Sequence, residues 1–363
     1  MTTFIDQPAG VTTATGALLD TRSQEEKDKD WLHEEFAFGE KTPVIWEKKA
    51  DYKEYYPYEQ GSSLSCVAGG IAITIEYLES LENHHIIPSR KDIYYARVNY
   101  PSGGMMMPDA FKIGIRGACY ENQLMSQGLG ETAMNKEYKV TDEMIASRSK
   151  HALGGWVSVA NITDYDELAR LVDERPLVAF WFFDNNFSYQ EWWRQFPQIV
   201  NNKMTRFGKG VARHQACIVD RTLFNGKKYF VVQDTSGHGT GFGVNKNLRL
   251  VSEDFMFSRL YAVGYGINKP TPVDTDKPTG IKLTQNLQVG STGEEVKMLQ
   301  KVLIHEKLLP IKQPTGYFGG ATRKAVVRFQ EKYASEILTP ANLKKGTGLV
   351  RTNTRNLINK LYA

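Results

Sequence analysis

The chain has 363 residues, with 41% hydrophobic and 11% aromatic side chains, which fits a globular protein with room for two or three domains. A net charge of +4, with no basic run interleaved with aromatics, argues against a nucleic-acid partner. Three cysteines, Cys66, Cys119 and Cys217, cannot build a disulfide framework, and the odd count leaves at least one thiol free.

The opening Met1-Thr2-Thr3-Phe4-Ile5-Asp6 has no basic stretch leading into an apolar one, so no secretory signal is expected. Synthesis in the cytoplasm follows, and a role outside the cell would need another exit route. No segment approaches the ~18 apolar residues that would span a bilayer. Residues 1–40 begin rich in Thr, Ala and Gly and become charged from Ser23 to Asp30. That pattern predicts a flexible arm with a short helix, with an inhibitory or docking segment as the alternative.

Residues 41–268 read as one α+β unit. Cys66 opens a largely apolar run, and a helix is predicted from there to Glu82. Gly69 and Gly70 each cost that helix roughly 1 kcal/mol relative to Ala, so another backbone is expected to approach closely there. His84-His85 has no partner at metal-ligand spacing and reads as a helix end. Asp164 to Asp173 has the pattern of an amphipathic helix, and Pro176 to Phe183 that of a buried strand. Two further strands, His214 to Asp220 and Lys228 to Asp234, flank Asn225-Gly226, a strong hairpin signal. The hairpin brings His214 and Asp234 close in space. The glycines at 237, 239, 241 and 243 do not follow a phosphate-loop pattern.

One constellation carries chemistry. Gln60-Gly61-Ser62-Ser63-Leu64-Ser65-Cys66 can place an amide and a thiol on either side of one carbonyl. At a helix start, Cys66 is favoured as a thiolate by the unpaired N–H groups and the helix dipole. His214 would take the thiol proton and return it to a leaving amine. Asp234 would fix the imidazole tautomer, and Gln60 with the Cys66 N–H would hold an oxyanion. Cys119 and Cys217 read as packed thiols, and His238, in a glycine-rich loop, as a rim residue rather than a rival base.

An early Cys, a late His and a later polar partner follow the order of papain-type peptidases. From Asp51 to Gly266 the chain resembles that family, in particular its bacterial and phage branch. The resemblance rests on the Gln60 to Cys66 motif, Asp92-Ile-Tyr-Tyr-Ala-Arg, Gly117-Ala-Cys-Tyr-Glu121, Arg175-Pro-Leu-Val and the His214 strand. It implies a two-lobed fold with the site in the cleft, and peptide-bond hydrolysis through an acyl-enzyme with no cofactor and no metal. Four positions depart from the family pattern. Val67 and Ser236 stand where tryptophans are usual, Asp234 stands for Asn, and Ser63 for a disulfide cysteine.

Residues 269–282, with three prolines, are predicted to be an extended, unpacked linker. Beyond it, residues 283–363 read as a small helical domain. Val296, Leu299 and Leu303 share one helical face, as do Ala325, Val326 and Phe329, and a third helix is predicted from Thr352 to Leu361. Gly293 and Gly320 end the loops entering the first two helices, with Thr322 as an expected N-cap. The stretches Leu287 to Leu303 and Gly316 to Gln330 resemble the three-helix peptidoglycan-binding domain. That resemblance implies a wall-facing loop at Gly316, Tyr317 and Phe318. The expectation is therefore an α+β, papain-like cysteine peptidase with a three-helix wall-binding domain, lysin-like or carried in a virion. Its partner would be peptidoglycan or an envelope peptide or protein. The alternative is a non-catalytic structural or adhesion protein that binds wall peptides.

Overall fold

The computed structural model describes residues 16–36, 43–183, 192, 212–235, 241–243, 246–268, 277–311 and 313–363. They group into two compact units, one holding the described residues up to Asp30 and 43–268, the other Trp31–Phe36 and 277–363. The expected Ser236 and His238 lie outside the described residues, as does most of the predicted linker.

The main elements of the first unit are β1 (Ala17–Leu18), α1 (Cys66–Ser80), α2 (Arg90–Tyr95), β2 (Met105–Met106), α3 (Met107–Arg116) and α4 (Asp142–Lys150), with short helices at Gln24–Lys27 and Glu131–Met134 between them. Then come β3 (Leu153–Val159), α5 (Tyr165–Glu174), β4 (Leu177–Phe183), β5 (Ala212–Phe224), β6 (Lys227–Gln233), β7 (Leu248–Ser252), α6 (Glu253–Arg259) and β8 (Leu260–Asn268). Strands β3-β8-β4-β5-β6-β7 lie side by side, each neighbouring pair antiparallel. This is an α+β architecture with a helical side built around α1 and an antiparallel sheet on the other.

Local chemistry accounts for the elements that frame the site. Every residue of β4 is buried, which fits its unbroken apolar run of a strand covered on both faces. Helix α5 starts where the Asp164 carboxylate accepts from the Glu167 N–H, an N-cap at the predicted place. Between β5 and β6, Asn225 and Gly226 both take positive φ, 49° and 72°, as a two-residue hairpin of matching twist requires.

Helix α1 packs against β5 with its glycines facing that strand and the segment after β6. A Cβ on Gly69 would lie 2.3 Å from the Thr235 methyl, and one on Gly70 would lie 2.5 Å from the Gln215 amide. The expected close approach is there, but side chains make it rather than a backbone. The cost of two glycines keeps α1 near enough to the sheet for residues at its start to reach β5.

Among the described residues of the N-terminal arm, 16–36, the expected short helix is present at Gln24–Lys27 and the strand before it is packed. Ala17 is fully buried, β1 pairs in parallel with β2, and the Arg22 guanidinium bridges Asp20 and Asp30 at 2.8 and 2.5 Å. Scattered apolar residues in a charged stretch find a core to bury in, which composition alone does not reveal.

In the second unit, α7 (Glu294–His305), α8 (Gly320–Lys332) and α9 (Thr352–Tyr362) pack through the predicted faces. Gly293 caps α7, but the cap of α8 is Gly319, not Thr322. Thr322 is buried in the first turn, where its hydroxyl accepts from Gln300. The linker boundary also moves: Ile281 is buried and its N–H donates to the Tyr362 carbonyl at 2.9 Å, so packing begins before residue 283. Trp31 belongs here too, with the Arg328 guanidinium 4.1 Å above its ring.

Candidate active site

Cys66 is the first residue of α1, and no side chain caps that helix start among the described residues. Ser65, at the cap position, instead places its hydroxyl 2.7 Å from that of Ser63. The N–H groups of the first turn therefore keep their positive field directed at the thiol. Gln60 is fully buried, and its amide is held on both sides. Its Nε2 donates to the Ser63 carbonyl at 2.7 Å and its Oε1 accepts from the Thr235 hydroxyl at 2.6 Å. The Gln60 N–H also donates to the Thr235 carbonyl at 2.7 Å. One residue thus ties the loop entering Cys66 to the residue after Asp234. Gly61, at φ +58°, makes the turn of this loop, where a Cβ would meet the Gly128 carbonyl at 2.6 Å.

His214 lies near the start of β5 and Asp234 just past the end of β6. The structure sets His214 Nε2 2.8 Å from Asp234 Oδ1, with both side chains fully buried. The Cys66 sulfur acts on the same imidazole electrostatically. The sequence-predicted Cys66, His214 and Asp234 therefore meet in one chain of contacts, with Gln60 on the loop leading into it.

The electrostatics follow from that geometry. Burial alone would lower the His214 pKa, but the Asp234 carboxylate and the Cys66 sulfur outweigh it and raise the pKa to about 10. Burial would raise that of Asp234, yet His214, Arg249 and the Trp192 indole hold it below the usual carboxylate range. Cys119 and Cys217 differ sharply from a reactive thiol: burial, chiefly, pushes each up to about 12.

Two members of the site were missed in the sequence. The Trp192 indole donates to Asp234 Oδ2 at 2.5 Å and packs against Trp181, Phe183 and Phe255. It supplies aromatic cover to the acid although Ser236 stands where the resembled family carries tryptophan. Arg249, fully buried, donates from Nε to the Trp192 carbonyl at 3.3 Å and from Nη1 to that of Lys246 at 2.7 Å. Trp192 has no period in the sequence to mark it, and Arg249 in a strand reads as a surface charge.

The arm lies alongside this site. The Gly16 carbonyl accepts from the Met105 N–H at 2.8 Å, and a Cβ on Gly16 would collide with the Leu64 carbonyl, two residues before Cys66. Strand β1 also touches β5, which carries His214. Cys66, His214, Asp234 and Gln60 are all fully buried.

In the helical unit, the three wall-binding candidates separate. Phe318 is fully buried among the helices and cannot face a ligand, because its ring fills the apolar centre of a small domain. Gly316 is buried, takes φ +75°, and donates its N–H to Gln300 Oε1 at 2.9 Å. Of the three, Tyr317 is the one with a part-exposed side chain. Gln300 and Gln330 do parallel work. Gln300 spans Thr315, Gly316, Tyr317 and Thr322, while Gln330 spans Thr347, Gly348, Leu349 and Thr354. The second loop therefore copies the first, a repeat visible once the two glutamines are aligned.

Comparison with solved structures identifies the first unit as papain-like in fold. Xylellain, a cysteine protease from Xylella fastidiosa, superposes with a TM-score of 0.51 at 19% identity, over 70% of this chain and 95% of that one. Digestive procathepsin L 3 of Tenebrio molitor larval midgut matches at 16% identity, over 68% of this chain and 79% of that one, with a TM-score of 0.46. Residues 292–335 match the family described as "Putative peptidoglycan binding domain". No curated protein matches the chain in sequence. The chain thus joins a papain-like fold to a peptidoglycan-binding-type helical domain.

Proposed function

We propose that this protein is a cysteine peptidase directed to bacterial cell wall, a lysin-like or virion-associated wall enzyme. The observation that carries the reading is one imidazole shared by Cys66, at a helix start, and a buried Asp234 at 2.8 Å. A carboxylate on one side and a thiol on the other is what a thiolate–imidazolium pair requires. In the proposed reaction the Cys66 sulfur attacks a peptide carbonyl and a C–S bond forms. His214 passes its proton to the departing amine as the C–N bond breaks. Water then attacks the thioester, with His214 accepting its proton, and the acid product leaves. Gln60 and the Cys66 N–H stabilise the oxyanion in both steps. The substrate is a stem peptide of peptidoglycan or an envelope protein, held near by the helical domain through effective concentration.

The arm is the pro-segment of this reading. It runs past Leu64, β2 and the strand of His214, and its displacement uncovers the thiol. The test is a zymogram with sacculi and casein in parallel, using the full chain, its Cys66→Ala variant and a chain lacking residues 1–22. Clearing by the full or shortened chain and none by Cys66→Ala is expected. Sacculus pull-down of Cys66→Ala with and without Tyr317→Ala tests the wall contact. A shortened chain that is folded yet inactive on both substrates would favour the non-catalytic binding protein.

A further inference from the structure

The far end of α1 carries a second cluster that the peptidase reading does not use. Glu79 lies in the last turn of α1, about 20 Å along the axis from Cys66 at 1.5 Å per residue. The chain then turns through Asn83, at φ +59°, and the His84 N–H donates back to the Glu79 carbonyl at 3.0 Å. That turn sets His84 Nδ1 3.0 Å from Glu79 Oε2. His151, which ends α4 and is 72 positions away from Glu79, brings its own Nδ1 to 2.7 Å from the same oxygen. The three donor atoms lie within 4.8 Å of one another.

We propose that Glu79, His84 and His151 form a binding site for a divalent late transition ion of the zinc class. Two imidazoles and one carboxylate are the donors such ions prefer, whereas magnesium and calcium favour all-oxygen sets. The outer shell fits as well. The other ring nitrogen of His151, Nε2, lies 2.6 Å from the Tyr120 hydroxyl. A histidine that binds metal through Nδ1 carries its proton on Nε2 and needs an acceptor there, which that hydroxyl provides. His151 is buried and held, while the His84 side chain is 41% exposed, so the set is open on one side for entry and for water ligands. Bonds of 2.0–2.2 Å place ligand atoms about 3.2–3.5 Å apart, so the donors must spread by roughly half an ångström. His84, on its exposed turn, can make that movement. The ion would pin the end of α1 to its following turn and to the end of α4. It stands apart from the thiol site and does not depend on the peptidase reading.

The test uses the untagged full chain carrying Cys66→Ala, so that no thiolate beside His214 competes for metal. After chelator treatment, equilibrium dialysis against Zn²⁺ with elemental analysis should give one bound equivalent. The melting temperature should rise on the order of 5 °C at a hundredfold excess over the dissociation constant. Substituted Co²⁺ should give visible bands without a sulfur charge-transfer band. Adding His84→Ala, at a part-exposed position, should abolish uptake and the thermal shift while the circular dichroism stays unchanged, and Glu79→Gln should do the same. Uptake well below one equivalent, or uptake that survives His84→Ala, would overturn the proposal and leave a hydrogen-bonded triad.

Discussion

The two ends of α1 carry the same pair of groups in different surroundings. At its start, His214 and Asp234 sit 2.8 Å apart and fully buried. At its end, His151 and Glu79 sit 2.7 Å apart, with His84 reaching the same carboxylate from a more exposed position. The distances are nearly equal, so distance does not separate their roles. The third group and the water do. At the start, Trp192 takes the second oxygen of Asp234 and the Cys66 sulfur acts on the imidazole, an arrangement that in the proposed reaction would serve proton transfer. At the end, a second imidazole meets the same oxygen on an open side, which suits a ligand set.

The sharpest way to break the contrast is at the thiol. Cys66→Ala should remove peptide hydrolysis altogether, and His214→Ala should lower turnover by at least about 10³. An irreversible thiol reagent should modify Cys66 well before Cys119 or Cys217, whose thiols burial pushes up to about 12. Equal labelling of the three in the folded chain, read by mass spectrometry, would sink the assignment. Glu79→Gln, at the other end of the helix, should leave kcat within a factor of about two.

Next in size come the groups around the imidazole. Asp234→Ala should cost about 10³–10⁴ in kcat. Trp192→Phe, which keeps the ring and loses the 2.5 Å hydrogen bond, should cost about tenfold. The His214 pKa is raised in the fold, so the stabilisation from its charge is full below about 6.5 and fades as pH climbs through about 10. The Asp234 pKa is lowered, so its share is present above the ordinary carboxylate range and lost as pH falls. Hydrolysis should therefore hold at neutral pH and decline near pH 10, where the imidazolium proton is lost. A decline near pH 7 in Trp192→Phe would show that indole to be part of the ion pair. An unchanged profile with lower thermal stability would make it packing alone.

These same positions show what the sequence could and could not disclose. The Asn225-Gly226 turn sets a hairpin, so the nearness of His214 and Asp234 at its far ends was legible from local chemistry, although the register shift between Ile218 and Asp220 was not. The apolar run after Cys66 and the faces of α7 and α8 were legible for the same reason, a period that repeats. Trp192 was not, because it lies 42 positions from Asp234 and reaches it only through the fold of what lies between. His151 was hidden similarly: at 72 positions from Glu79, no local spacing rule joins the two. Phe318 misled because an aromatic in a glycine loop reads as sugar-facing, while a domain this small needs it for its core. Ala17 and Leu18 misled in the opposite sense, since a Thr, Ala and Gly-rich setting concealed two residues that a core could use.

The smallest effect concerns a third carboxylate on the same helix, Glu76, one turn before Glu79. It is part-buried where Asp234 is fully buried, and its partner is the Tyr56 N–H, which both of its oxygens accept at 2.9 and 3.1 Å. Burial, the larger cause, raises its pKa from 4.5 to about 7 against the pull of that hydrogen bond. Asp234, the more buried of the two, nevertheless moves down while Glu76 moves up, and the neighbouring imidazole with Arg249 accounts for the difference. The sign for Glu76 is that of a raised acid. Its neutral form fits the fold, so the stability it allows is full below about pH 4.5 and lost as pH rises through about 7. Glu76→Gln keeps an acceptor for the Tyr56 N–H and removes the charge. The variant should match the parent chain in urea unfolding at pH 4 and exceed it by about 1–3 kcal/mol at pH 8. A difference that is the same at both values would mean the carboxyl does not titrate in the fold, and burial without a cation would then fail to explain it.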